Sequence, residues 1–200
     1  MCSQFGFEYS DISATLREVR RVLTATGWFV AISHHADSDL IKAAQAELEI
    51  YSVVFDELDI FGKAGKYLAA LGDLGGTQEQ LQQAIERTKP LATEINSVVE
   101  SLRQKFPDVE CAKEVVNAVA HLAKGARFAS PAERVDAVNA AVSDFSMAQA
   151  RLEDMVKAAL SQDDIEFLSV AARELGFNSV HCLRLFGDDN GLAAWQIHLR

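Results

Sequence analysis

The sequence predicts an α/β fold in which the two ends of the chain supply a sheet and the middle forms a helical block. Three observations carry this. A helix-period segment leads through Thr26-Gly27 into the apolar run WFVAIS at 28–33, which reads as a strand covered on both faces. From about residue 39 the apolar period is helical for some 120 residues. Finally, SVHCLRLF at 179–186 and LAAWQIHL at 192–199 are strand-like and separated by only five residues, Gly187 to Gly191. Five residues cannot make a parallel crossover, so these two strands are predicted to pair antiparallel.

Each element has its own local grounds. Residues 1–5 form a short apolar stub, predicted to be a strand or its tail. Ser10 or Asp11 caps a helix running to about Thr24, with Ile12, Leu16, Val19 and Leu23 on one stripe, and Gly27 is placed at its left-handed end. A long amphipathic segment follows Asp39 through Leu71, weakened at Gly62 and Gly65, and Gly72 to Gly76 break it. Thr77 with Gln80 is a capping box for the next helix. Its stripe of Leu81, Ile85, Thr88, Ala92, Ile95, Val99, Leu102 and Phe106 keeps phase across Pro90, which predicts one kinked helix or two in line. That stripe has near-heptad spacing, but packing against the two helices that follow accounts for it without a coiled coil. Pro107-Asp108 starts a helix with Ala112, Val115, Val119 and Leu122 inward. Ser130-Pro131 with Glu133 starts another, carrying Val135, Val138, Val142, Phe145, Leu152 and Val156. Ser161 caps a last helix that stops at Gly176.

Composition narrows the function classes. Hydrophobic residues make up 49% of 200, enough for a sizeable core, and charged residues 24%. A net charge of −10 disfavours nucleic acid and anionic membrane surfaces as partners and leaves a small-molecule substrate or a protein. Cys2, Cys111 and Cys182 are odd in number and far apart, which favours reduced thiols and a cytoplasmic location. No apolar run reaches membrane-spanning length.

The first 38 residues and the last 40 resemble a class I S-adenosylmethionine-dependent methyltransferase. The match rests on SQFG at 3–6, on RVLTATGWFV at 21–30 leading into a strand, and on the antiparallel hairpin that ends the sheet. That hairpin distinguishes these enzymes from nicotinamide-binding doubly wound folds. The resemblance implies a Rossmann-like, truncated doubly wound sheet formed by residues 1–38 and 161–200, the C-terminal part of the enzyme, with residues 39–160 as an inserted helical cap. It implies S-adenosylmethionine as cofactor, met by Ser3, Gln4, Phe5 and Gly6, and methyl transfer to a small-molecule acceptor. Such chemistry rests on positioning and desolvation, so no catalytic residue need stand out. Neither the family's glycine-rich loop nor its ribose-binding acid is found in this chain, which is therefore expected to be inactive alone. The glycines of Leu71-Gly-Asp-Leu-Gly-Gly76 do not supply the loop, because a helix rather than a strand precedes them. In the family the strand ending at Phe5 is central; here its free edge is expected to be bare, giving either a homodimer through antiparallel pairing of residues 1–5 or a frayed N-terminus. The alternative is a non-enzymatic helical interaction module of methyltransferase descent.

Four further residues are candidates for substrate binding. Glu8 and Tyr9 follow the first strand on one loop and could orient a substrate or take its proton. His34 and His35 lie at the carboxyl end of the second strand, where ligands of open α/β sheets bind. On an extended segment they point to opposite faces, and with no third ligand at a useful spacing no metal site is predicted. His34, Gln4 and Tyr9 are expected to border one cavity roofed by the helical block.

Overall fold

The sheet begins at β1 (Cys2–Gln4), crosses through α1 (Ile12–Val22) and returns parallel as β2 (Phe29–His34). The computed structural model describes residues 1–75, 77–126, 128–188 and 190–200. The chain then runs through α2 (Asp39–Ser52), a π-helical turn at Val53–Glu57, α3 (Ile60–Leu71), α4 (Gln78–Lys105), α5 (Glu110–Gly125), α6 (Pro131–Ala158) and α7 (Gln162–Glu174). It ends in β3 (Val180–Phe186) and β4 (Leu192–Leu199). The four strands lie in the order β1-β2-β4-β3, an open mixed sheet. The last strand enters between β2 and β3 and runs antiparallel to both. The five-residue connection thus makes the expected hairpin, of which Asp189 lies outside the described residues.

Two compact units divide the chain, one of residues 1–46 and 151–200, the other of residues 47–150. The divisions fall inside α2 and α6, eight residues into the first and eight before the end of the second, rather than at residues 39 and 160. In the first unit, α1 and α7 cover one face of the sheet. Leu16, Val19, Ile165, Leu168 and Ala172 pack on Phe29, Ala31, Trp195, Ile197 and Leu199. Strand alternation turns Val30, Ile32 and His34 to the opposite face. Asp11 caps α1, its carboxylate accepting from the Ala14 amide at 2.8 Å, and Ser161 with Asp164 forms a capping box on α7.

The left-handed residues differ from those expected. α1 stops at Val22, and Gly27 is not left-handed; it sits instead at a close approach. A Cβ there would meet Leu23 and Thr24 atoms at 3.1 Å. Among the described residues the positive φ values fall on Phe5, at 51°, Asp59, at 45°, Gly72, at 64°, Gly176, at 81° after α7, and Asn190, at 61°. Asp59 accounts for a second difference. The segment after Asp39, expected to run weakened past Gly62 and Gly65, breaks at Asp59, whose carboxylate folds over Gly62 into the place a Cβ would take.

In the second unit α4 is one continuous helix through Pro90, opened by the Thr77–Gln80 capping box. Thr88, Ile95 and Leu102 of its stripe are buried. Leu81 and Ile85 are instead about half exposed and line an apolar cleft of about 520 Å³ with Tyr67, Leu71 and Leu74. Tyr51, Phe55, Phe61 and Phe145 form a second apolar centre, with ring centroids 5.3 to 6.4 Å apart. Val135 of the α6 stripe is exposed, while its neighbour Arg134 is buried, donating to the carbonyls of Ala126 at 2.9 Å and Gly72 at 2.6 Å. Gly76 of the expected break and Arg127 lie outside the described residues. Among the described residues no helix is long and apolar enough to cross a membrane.

Arg134 satisfies the carbonyls that end two segments of the helical unit. Arg134→Met keeps the packing stem and orphans both acceptors, so it is expected to cost about 1–3 kcal/mol in urea unfolding. A change under a few tenths would show that water replaces the guanidinium. At the other end of the chain, β1 pairs with β2 alone among the described strands. The Phe5 amide donates to the Ile32 carbonyl at 2.8 Å and the Val30 amide to Met1, so Cys2 and Gln4 turn their backbone groups to the open edge. Hydrogen exchange is expected to be slow at Phe5 and fast at Cys2 and Gln4 in the monomer. Concentration-dependent protection of Cys2 and Gln4, matched by sedimentation, would mark the edge-paired homodimer.

Candidate functional site

The parallel β1-α1-β2 unit brings the carboxyl ends of its two strands to one edge of the sheet. Chain leaving β1 turns through Phe5 and Gly6 into a 3-10 turn, Phe7–Tyr9, whose Phe7 packs on Phe29 at 5.4 Å between centroids. Anchored this way, the turn directs its next side chain, Glu8, at the end of β2. The Glu8 side chain has no solvent exposure, and its Oε1 lies 3.1 Å from the His34 amide and 2.8 Å from His34 Nδ1. A carboxylate oxygen accepts, so both nitrogens donate, and the neutral His34 ring carries its lone pair on Nε2. The other Glu8 oxygen, Oε2, is buried without a hydrogen-bond partner. The ring of Phe5 lies 4.5 Å from His34 on one side, and Tyr9 meets it edge-on at 6.4 Å. Burial first, then the charges of Glu8 and Asp154, raise the Tyr9 phenol above its ordinary range.

His35 points to the opposite face, as alternation requires, and lies apart from this cluster. Its ring stacks on Trp195 at 4.4 Å and 14° between planes. The Asp37 amide donates to His35 Nδ1 at 3.0 Å, which places the proton of the neutral ring on Nε2. That nitrogen and Ser33 Oγ, two residues back on the same face, are buried without partners. Burial lowers the pKa of His35 from its usual value; Asp37 opposes the shift, and Arg184 and Lys42 add to it.

The structure therefore gathers Glu8, Tyr9, His34 and Phe5, and separates His35. Gln4 is exposed on the sheet face that His34 shares, and Ser3 is half-buried on the other. Gly6 is exposed, and its φ of −147° is open to any residue. A Cβ on Gly6 would make only an ordinary 3.5 Å contact with Ser3 Oγ, so the tight turn belongs to Phe5. Sequence reasoning singled out Glu8 and His34 separately. Their pairing spans 26 residues and has no local signature. Phe5 was assigned to the cofactor on resemblance, and nothing in the sequence pointed to its contact with the His34 ring. Trp195 and Leu160 were missed; the indole donates to the Leu160 carbonyl at 2.9 Å beneath His35. Among the described residues no three His, Cys, Asp or Glu side chains converge as a metal site. No protein family, curated protein or solved structure matches this chain.

His35 sets a pH dependence whose sign is fixed by its lowered pKa. Below about 6.5 the unfolded chain takes up a proton that the folded ring resists, so stability is complete above that value and falls as pH drops towards the folded pKa. His35→Gln is expected to flatten the acid side of a plot of urea midpoint against pH. An unchanged slope would assign the acid loss to other groups.

Proposed function

We propose that this chain carries the substrate side of an S-adenosylmethionine-dependent methyltransferase acting on a small molecule. The carrying observation is the sheet. Two parallel strands joined by a helix present their carboxyl ends together, and the last strand enters antiparallel beside them. The antiparallel final hairpin is the feature that sets this family apart from nicotinamide-binding doubly wound folds, and ligands of such sheets bind beyond the strand ends.

The residues fit the methionine end of the cofactor. Gln4 at the end of β1 and Phe5 and Gly6 just past it are exposed, and a non-glycine residue held at φ 51° marks a turn under local strain, as ligand-binding turns often are. When bound, S-adenosylmethionine would supply an electrophilic methyl group next to this turn. The chain's own contribution is positioning: the turn presents backbone groups, while Phe5, Tyr9 and the buried Glu8–His34 pair line the acceptor side. Nothing described supplies the glycine-rich loop or the ribose acid, so the expected affinity is weak, with Kd of about 1 mM, equivalent to roughly −4 kcal/mol.

Amide spectra recorded during titration with S-adenosylhomocysteine test this. Shifts concentrated at Ser3, Gln4, Phe5 and Gly6 are expected at millimolar ligand. Shifts spread over the helical unit, or none, would leave the reading without a cofactor site. Submicromolar affinity would instead show that this chain holds the whole cofactor.

A further inference from the structure

We infer that His34 is the proton acceptor of this site, with Glu8 as its positioning residue, and that the substrate it serves is a small molecule bearing an acidic hydroxyl, of the phenol class. The inference rests on the methyltransferase reading for the reaction, but its geometry does not. A carboxylate buried to zero exposure is costly unless donors converge on it, and here both donors come from one residue, the amide and the ring of His34. That double grip fixes the imidazole with Nδ1–H towards Glu8 and the Nε2 lone pair directed away from it. The same carboxylate would stabilise the imidazolium formed when Nε2 takes a proton, as in buried carboxylate–histidine pairs generally.

The surroundings suit a flat hydroxylated ring. Phe5 and Tyr9 flank the imidazole, and both are about half exposed, at 41% and 50%, so aromatic surface leads from solvent to a side chain that keeps only 9% of its own exposure. Glu8 and Asp154 make the neighbourhood negative, which disfavours a carboxylate substrate and leaves a neutral hydroxyl. Bound S-adenosylmethionine would supply the methyl group, its sulfur keeping the electron pair of the broken carbon–sulfur bond; the role of this chain would be to take the proton of the attacking hydroxyl at Nε2 of His34. An amine acceptor already free of its proton would need no such base before attack.

Two measurements on the intact chain decide it. Imidazole nitrogen-15 shifts are expected to give His34 protonated at Nδ1 and bare at Nε2, with the reverse at His35 as an internal control. A proton on Nε2 of neutral His34 would overturn the inference whatever any variant does. The second uses 4-nitrophenol as the probe, below its own pKa, where bound phenolate is visible by its absorbance. Wild type is expected to develop the phenolate band, His34→Gln to lose it by about tenfold or more, and Glu8→Gln to reduce it by about tenfold while keeping the His34 tautomer, since the amide oxygen still accepts. No band in the wild type, or a band that survives His34→Gln, overturns the inference. The two readings separate cleanly. The phenolate band without cofactor shifts at residues 3–6 leaves an acid–base site serving another reaction. Cofactor shifts with His34 protonated at Nε2 leave the methyltransferase and remove its base.

Discussion

A carboxylate taken wholly out of water must find its donors inside the protein, and the ones Glu8 finds tie together the β1-α1-β2 segment at the start of the chain. Glu8 reaches them only because β1 and β2 are parallel neighbours. Parallel pairing sets the loop after one strand beside the end of the other, and the register of Gln4 against Ile32 puts His34 two residues past the last pair. Phe7, one residue before Glu8, is buried on Phe29 of the opposite face, so the 3-10 turn straddles the strand end with an apolar side chain on one side and an acid on the other. A slip of one residue in the β1–β2 register would reverse every side chain of β1 between faces and leave the carboxylate buried without its donors. The Coulombic and hydrogen-bonding demands of one side chain therefore reinforce a strand pairing only three residues long.

A second knot lies beside the first. The Leu160 amide donates to the His34 carbonyl at 2.9 Å, its carbonyl accepts from Ala36 at 2.9 Å, and it accepts again from the Trp195 indole. The chain that departs after Ser38, whose hydroxyl accepts from the Ile41 amide at the start of α2, thus comes back to the same point before α7 begins. More than a hundred residues are inserted with their ends pinned together. The closure entropy of such an excursion grows only with the logarithm of its length, so a few fixed hydrogen bonds at the neck suffice to hold the sheet's register across it. Trp195 couples this neck to the hairpin, because it pairs with Ser33 in β2 and stacks under His35. The last strand, the returning chain and the site edge therefore share one set of contacts.

How much of this could be read from residues alone follows from the range of the interactions. Caps are local, and Asp11, Thr77, Ser130 and Ser161 all act where their spacing places them. The hairpin was legible because a five-residue loop excludes other connections. The insertion of β4 between β2 and β3 was not, since alternation in LAAWQIHL fits any antiparallel neighbour. Left-handed positions were misread for a physical reason. Glycine is the default for positive φ, but Asp59 holds its conformation with its carboxylate against Gly62, and Phe5 holds its own with an amide bonded to Ile32 and a ring against His34. In α4, a stripe that is continuous in sequence faces a cleft at Leu81 and Ile85 and a packed helix only from Thr88 onward. The buried Arg134 had no signal, because a guanidinium that caps carbonyls 8 and 62 residues away looks like any surface arginine.

The two adjacent histidines show why residue type says so little without geometry. Both are buried, both follow one strand, and they differ by a single step of the pleat. That step gives His34 a carboxylate at Nδ1 and His35 a backbone amide at the same atom. An acceptor there forces the proton onto Nδ1, and a donor there forces it away, so the outer nitrogens end in opposite states. His34 is left with its lone pair on Nε2 and its ring against the half-exposed rings of Phe5 and Tyr9. His35 is left with a buried N–H against the core and a pKa lowered by burial, as a ring packed neutral in the core should have. The difference between the two rings thus comes from the partner of Nδ1, and that partner is set by strand alternation.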